Sequence, residues 1–256
     1  MATRMRDAMQ QRMPELRFEP TDKTVRVEHH GRPVALTPAA VLVWEPRRVV
    51  PSYAFPVEQV TAALVPSDGS APPPADDGRV LHPGIPFSVH STPGRMVDVA
   101  VGDLVVERGG FLPDDPGLDG FVVLDFDAFD GWYEEAEQIF SHPRDPFHRV
   151  DARPTDKHVR VELDGRTVAE SSRAMLVFET GLAPRYYLPP EDVTAPCTPT
   201  DTHTGCAYKG RASYWSVGDH ADVAWSYEDP LPDAVRIRGM LSFWGDAQVL
   251  VDDAAR

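Results

Sequence analysis

The sequence predicts a mainly β protein made of two related units, and three observations support this. Residues 20–45 (PTDKTVRVEHHGRPVALTPAAVLVWE) and 154–179 (PTDKHVRVELDGRTVAESSRAMLVFE) are identical at 16 of 26 ungapped positions, so the chain repeats itself. Each copy opens on apolar residues at period two, the pattern of a strand with one buried face. Turn signals of Gly, Pro and Asp then separate further apolar runs, which indicates an antiparallel sheet pair or a partial barrel in each unit. The 256 residues divide on this basis into an N-terminal arm (1–17), a first repeat (18–141) and a second repeat (142–256).

The elements follow in order. Met5, Met9, Met13 and Leu16 recur at helical spacing, which predicts a short amphipathic helix within 2–13, its Met stripe packed on a domain and its extent limited by Pro14. Strands follow at Thr24–Glu28 and His158–Leu163, with Val25 and Val27, or Val159, Val161 and Leu163, on one face. Asp164-Gly165, and His30-Gly31 at the matching place, signal two-residue hairpin turns. A third strand is expected at Val41–Glu45 and at Met175–Glu179. In the first repeat the Pro/Gly-rich stretch 66–86 reads as a loop, with strands resuming at Met96–Glu107 and Phe121–Phe126. Asp130 is positioned to cap a helix with Trp132, Tyr133, Ala136, Ile139 and Phe140 on one face, an amphipathic joint that clamps the two units. The second repeat continues as strands at Arg211–Val217, Val223–Tyr227, Val235–Phe243 and Gln248–Val251. Gly245-Asp246 forms a turn there, and Gly239 marks a bulge or a close backbone approach.

Composition excludes several classes of partner. A net charge of −15 repels a nucleic-acid backbone and an anionic membrane. No stretch reaches the roughly 20 apolar residues of a membrane span. The start, MATRMRDAMQQRMPEL, lacks the apolar core of a secretory signal. Two cysteines, Cys197 and Cys206, are too few for a disulfide framework and point to a reducing, cytoplasmic setting. Lysine is scarce, only Lys23, Lys157 and Lys209 against 22 arginines, so a lysine outside the shared PTDK motif marks a place where a compact ammonium matters.

The segments HPRDPFHRVD (142–151), RVELDGRTVAES, FETGLAPRYYLPPEDV (178–193), CAYKGRASYW (206–215) and AWSYEDPLPDAVRIRGMLSFW (224–244) resemble a bacterial family of unknown function, family 427, filed under a nucleotidyltransferase-like heading. The resemblance is strong over 142–251 and weaker over 18–141, which makes the first repeat a degenerate copy. It implies a β-tent-like fold, two antiparallel sheets meeting at an angle, and it brings no established activity. The family pattern has Pro between Cys and Tyr where this chain has Ala207, while Cys206, Tyr208, Lys209 and Gly210 stand in place.

Comparing the copies sorts the candidate residues. Glu45 and Glu179, Tyr53 and Tyr186, and Glu58 and Glu191 are shared and lean structural. Arg173, Tyr187 and Asp192 stand where the first copy has Ala39, Ala54 and Gln59, and Cys206–Gly210 has no counterpart. These differences place a small-molecule site in the second repeat. A Cys206 thiolate stabilised by Lys209, with His203 as base, offers nucleophilic chemistry, and the alternative is an inert buried thiol. Glu179 or Asp192 would serve as acid or base. Arg173, Arg185, Tyr187, Tyr208 and Lys209 would receive an anion between aromatic walls drawn from Tyr214, Trp215, Trp225 and Tyr227. Tyr214 and Trp215 point to opposite faces of any regular strand, so only one of them lines such a pocket. Cys197, Asp201, His203 and Cys206 form a weak ligand set without a C-x-x-C pair. His29-His30, His82, His90 and His220 show no ligand spacing, so no metal is expected. No cofactor signature is present. The function expected is an enzyme on a small anionic metabolite, with a non-catalytic sensing module or an interaction scaffold as alternatives. An interface between the repeats is expected, and the sequence sets no oligomeric state.

Overall fold

The computed structural model describes residues 2–67, 78–252 and 254–255. Residues 68–77 of the Pro/Gly-rich stretch lie outside them. The chain divides into two compact units, Met1–Asp145 and Pro146–Arg256.

In the N-terminal unit a helix α1 (Met5–Gln11) precedes strands β1 (Arg17–Pro20), β2 (Val25–His29), β3 (Arg32–Thr37), β4 (Val41–Trp44) and β5 (Ser52–Pro56). These are followed by β6 (Ala63–Pro66), β7 (Gly94–Val101), β8 (Leu104–Pro113), β9 (Phe121–Leu124), β10 (Gly131–Glu134) and β11 (Glu137–Gln138). They build a seven-stranded antiparallel sheet, β1-β4-β5-β9-β8-β7-β6, and a four-stranded one, β11-β10-β2-β3. Val25, Val27, Phe55, Val99, Val122 and Leu124 are fully buried in the main apolar cluster of this unit.

The C-terminal unit contains β12 (Val150–Pro154), β13 (Val159–Leu163), β14 (Arg166–Ser171), β15 (Met175–Glu179) and β16 (Arg185–Tyr187). Next come β17 (Cys197–Cys206), β18 (Gly210–Val217), β19 (His220–Ser226), β20 (Ser242–Phe243), β21 (Gln248–Val251) and β22 (Ala254–Ala255). Three antiparallel sheets result, β12-β15-β16, β14-β13-β21-β22 and β17-β18-β19-β20. The fold is thus mainly β with several open sheets, and the partial barrel is not formed.

The paired runs fold alike because the same physics acts on each. The β2/β3 register runs Val25↔Thr37 and Val27↔Ala35, then slips at Val27/Glu28. The β13/β14 register runs Val159↔Ser171 and Val161↔Ala169, then slips at Val161/Glu162. Both hairpins close on two residues at positive φ, His30-Gly31 (52° and 73°) and Asp164-Gly165 (48° and 70°), the conformation a type I′ turn requires.

Four expectations are corrected. Residues 131–140 do not form a capped helix joining the units. β10 pairs with β2 (Trp132↔Val27, Glu134↔Val25) and turns through Glu135 at φ 53° into β11. Strand pairing wins because it buries Trp132 and engages Glu134 with Lys23 and Tyr53, whereas a helix would leave those partners unmet. Asp130 accepts from His30 N–H instead of capping a helix. Met96–Glu107 is a hairpin rather than one strand, reversing at Gly102 with φ 67°. Val235–Phe243 is strand only at Ser242–Phe243, because Pro232, with its fixed φ, opens a 3₁₀ turn over Pro232–Ile237 that takes up the start of the segment. Gly239 sits there at φ 67° and donates to the Tyr227 carbonyl at 2.9 Å. Lastly, α1 buries no residue, and its Met5 and Met9 are exposed; farther along that stripe Met13 is half-buried and Leu16 packs on the unit.

His220 links the turns at one end of the C-terminal unit. Its Nε2 meets Asp164 Oδ2 at 2.9 Å and its Nδ1 meets Asp246 Oδ2 at 3.1 Å. The hydrogen bonds to Asp164 and then Asp246 raise the imidazole pKa above its usual 6.5. A raised folded-state pKa contributes stability that is complete below the unfolded value and lost as pH rises through the folded one. The thermal midpoint should therefore fall as pH climbs above 6.5, and His220→Gln should remove that part of the slope. Parallel wild-type and variant pH curves in circular-dichroism melts would show that the clamp contributes nothing.

Candidate functional site

The candidate site lies on the β15–β16 hairpin of the C-terminal unit. Side chains alternate along β15, so Met175, Val177 and Glu179 share one face. Antiparallel register places Tyr187 opposite Met175 and Arg185 opposite Val177, adding both to that face. The connecting loop contributes Leu182 and Ala183, and β19 contributes Trp225. Together with Lys209, all of these except Met175 line a pocket of about 240 Å³.

Lys209 reaches the pocket from the β17–β18 turn. Gly210 permits that turn: its φ is 103°, and a Cβ there would meet the Asp229 carbonyl and the Leu231 amide at 3.3 Å. Leu231 N–H donates to the Lys209 carbonyl at 3.1 Å, which pins the turn from outside. The Lys209 ammonium then forms an ion pair with Glu179, both side chains being about one-tenth exposed. The other Glu179 oxygen faces His148 Nε2 at 3.2 Å, and the His148 ring stacks on Tyr208 with centroids 4.1 Å apart.

These contacts set the charge of the site. Burial works to raise the Glu179 pKa, but the His148 hydrogen bond and the Lys209 charge together outweigh it and hold the carboxyl below its usual range. Glu179 is thus an anion near neutral pH. Burial pushes the Tyr187 phenol well above the ordinary tyrosine range, outweighing the hydrogen bond it accepts from Trp225 Nε1 at 3.1 Å. Tyr187 therefore keeps a proton to donate. The Arg185 guanidinium lies 5.5 Å from the centre of the Trp225 ring, and among the described residues no carboxylate pairs with it. With Arg185 and Lys209 positive and Glu179 negative, the lining carries a net positive charge inside a chain of −15.

Of the residues singled out in the sequence, Glu179, Arg185, Tyr187, Lys209 and Trp225 converge here. Tyr208 is buried behind Glu179 against His148. Tyr214 lies on the same sheet as Trp225, its hydroxyl 3.2 Å from Thr204 Oγ1, while Trp215 points to the opposite side and donates to Ser226. Arg173 and Asp192 pair with each other instead, at 3.1 and 2.8 Å, with Ser171 also donating to Asp192 at 2.6 Å. The Ser171–Asp192 bond has its counterpart in the first unit, where Thr37 bonds Gln59 at the aligned positions, and the Arg173–Asp192 ion pair is added to that strand-to-turn tie where the first unit has Ala39. Cys206 packs against the apolar cluster that holds Met175, Tyr187 and Tyr227, and no hydrogen bond joins it to Lys209 among the described residues. His203 Nδ1 lies 3.2 Å from the Ala212 carbonyl, not beside the thiol. Burial pushes the Cys197 thiol up, and it contacts the Ala195 carbonyl. Sequence reasoning missed His148, although it stands within HPRDPFHRVD; the signal was a histidine inside a resembling motif with no role assigned.

Residues 151–254 match the model of a family described as a domain of unknown function, DUF427. The match confirms the resemblance over the C-terminal unit. Every pocket residue lies inside the matched span, while His148 stands just ahead of it. No curated protein matches the chain.

The ion pair makes a quantitative expectation. Lys209→Met leaves Glu179 without its cation and should cost about 2–3 kcal/mol in urea unfolding at pH 7, less than a dry pair because the pocket admits water. Glu179→Gln combined with Lys209→Met should recover at least half of that loss. Because the Glu179 pKa is lowered, its contribution is present above its ordinary 4.5 and lost as pH falls through the folded value. A Lys209→Met variant as stable as wild type at both pH 7 and pH 4 would show that the pair carries no energy.

Proposed function

We propose that the C-terminal unit binds a small anionic metabolite in the Arg185–Lys209 pocket. The observation that carries this is the Arg185 guanidinium, which lines a cavity without a carboxylate partner while the neighbouring Lys209 is already neutralised by Glu179. An incoming carboxylate or phosphate would supply the missing counter-charge, with the planar fork of Arg185 suited to bidentate recognition. The Tyr187 hydroxyl can donate a further hydrogen bond. Val177, Leu182, Ala183 and Trp225 offer apolar contact to the body of the ligand. At about 240 Å³ the pocket is smaller than the ~300–1,000 Å³ of drug-sized sites, which supports a compact ligand.

A second reading is catalytic, and it rests on the Glu179–Lys209 pair. A carboxylate held ionised beside an ammonium can take a proton from a bound acid and return one without a covalent intermediate. Cys206 enters neither reading, since its thiol packs into the apolar cluster.

The two units are proposed to be duplicates, the first of them degenerate. The shared registers and their bulges support this. So does the loss of pocket chemistry at the aligned positions, where buried Ser52 and Ala54 replace Arg185 and Tyr187. Unpaired Cys197 and Cys206 support a reducing, cytoplasmic setting.

A thermal-shift screen of carboxylates and phosphate esters tests the binding proposal, since a ligand that prefers the native state raises its midpoint. At least one anion should stabilise the wild type. Arg185→Ala should weaken that anion at least about tenfold, or about 1.4 kcal/mol, with Arg185→Lys intermediate and Cys206→Ser unchanged. Equal stabilisation of the Arg185→Ala variant would place the anion elsewhere and sink the assignment. Deuterium uptake from D₂O into the stabilising anion, lost in Glu179→Gln while binding persists, distinguishes the catalytic reading from simple binding.

A further inference from the structure

The N-terminal unit carries a cluster of metal-ligating groups that sequence spacing hides. His29 and His30 end the β2 strand and enter its hairpin turn, and β10 begins next to Asp130, which is about a hundred residues away in the chain. Pairing of Gly131 with Glu28 brings the two ends together. One ligand atom each from His29, His30 and Asp130 then falls within 4.8 Å of the others.

We propose that His29, His30 and Asp130 form a binding site for one divalent first-row transition-metal ion, such as zinc. His30 Nδ1 lies 3.3 Å from Asp130 Oδ2, and His29 Nδ1 lies 4.0 Å from Asp130 Oδ1. Ligand atoms on a tetrahedral ion with bonds of about 2.0–2.1 Å stand about 3.3–3.4 Å apart, so modest side-chain rotations close the set. Two imidazole nitrogens and one carboxylate oxygen suit a borderline cation, leaving a fourth position for water.

Four features support the assignment. His29 Nδ1 is buried and has no hydrogen-bond partner among the described residues, although its side chain is 18 % exposed. Leaving such an atom unsatisfied is unfavourable, and coordination would remove that penalty. The Asp130 carboxylate is oriented by the His30 backbone N–H, at 2.9 and 3.1 Å to its two oxygens, as outer contacts orient a metal-ligating carboxylate. It retains acceptor capacity beyond those bonds. Phe129 meets the His29 ring edge-on at 5.8 Å and restricts its rotation. The corresponding turn of the C-terminal unit, Leu163-Asp164-Gly165, has the same backbone and none of these imidazoles. The hairpin therefore needs no histidine for its own geometry.

The test uses the full chain without an affinity tag, stripped with a chelator and titrated with zinc against a chromophoric competitor. Wild type should bind one equivalent. His30→Asn tolerates the positive φ, and Asp130→Asn keeps an acceptor for the His30 amide, so both should melt like wild type without metal. Each should weaken zinc binding at least about tenfold. His82→Asn and His203→Asn should bind as wild type does. No binding at millimolar zinc, or weakening by the His82 or His203 variants instead, would overturn the proposal.

Discussion

The Glu179–Lys209 ion pair is the contact on which the C-terminal unit's architecture turns. A charge with only one-tenth of its surface in water is tolerated only when an opposite charge or several hydrogen bonds meet it. Glu179 comes from the end of β15 and Lys209 from the β17–β18 turn, so the two sheets must approach until these groups touch. Gly210 allows that turn to form, and His148 takes the remaining Glu179 oxygen. The proposed preference for an anion follows by subtraction. With Lys209 neutralised, Arg185 supplies the uncompensated charge of the pocket wall.

The first unit shows what the same position does without the lysine. Glu45, aligned with Glu179, is buried at 2 % exposure and meets His90 Nδ1 at 2.7 Å and the backbone amides of Ser91 and Thr92 at 2.6 and 3.3 Å. Its lone pairs are consumed by the loop it holds. Close by, fully buried Arg48 donates to the carbonyls of Ile85, Pro86 and Val89, stitching the same loop. One carboxylate is therefore used to order backbone, and its counterpart to fix a cation beside a cavity.

Local periodicity made much of the fold legible. Val25–His29 and Val159–Leu163 are strands because alternate residues bury, and His30-Gly31 and Asp164-Gly165 turn because their backbone must take positive φ. The failures are long-range. Trp132, Ile139 and Phe140 satisfy a helical period as sequence, but Trp132 answers to Val27 across a ladder, and that partner is invisible from 131–140 alone. For the site, the repeat comparison showed which residues differ without showing what they touch. It drew attention to Arg173 and Asp192, which satisfy each other, and it could not show that Glu179, though shared with Glu45, meets a lysine that the first copy lacks. Cys206 and Lys209 are three apart in the turn, yet the turn sends one into the apolar cluster and the other to the carboxylate.

The most direct measurement of the central claim is a titration of the indole N–H resonance of Trp225, which donates to Tyr187 at the wall of the pocket. Small carboxylates and phosphate esters should move this resonance saturably, while neutral and cationic isosteres should leave it in place. A Trp225 signal that no anion shifts, or that cations shift equally well, would contradict an anion site built around Arg185.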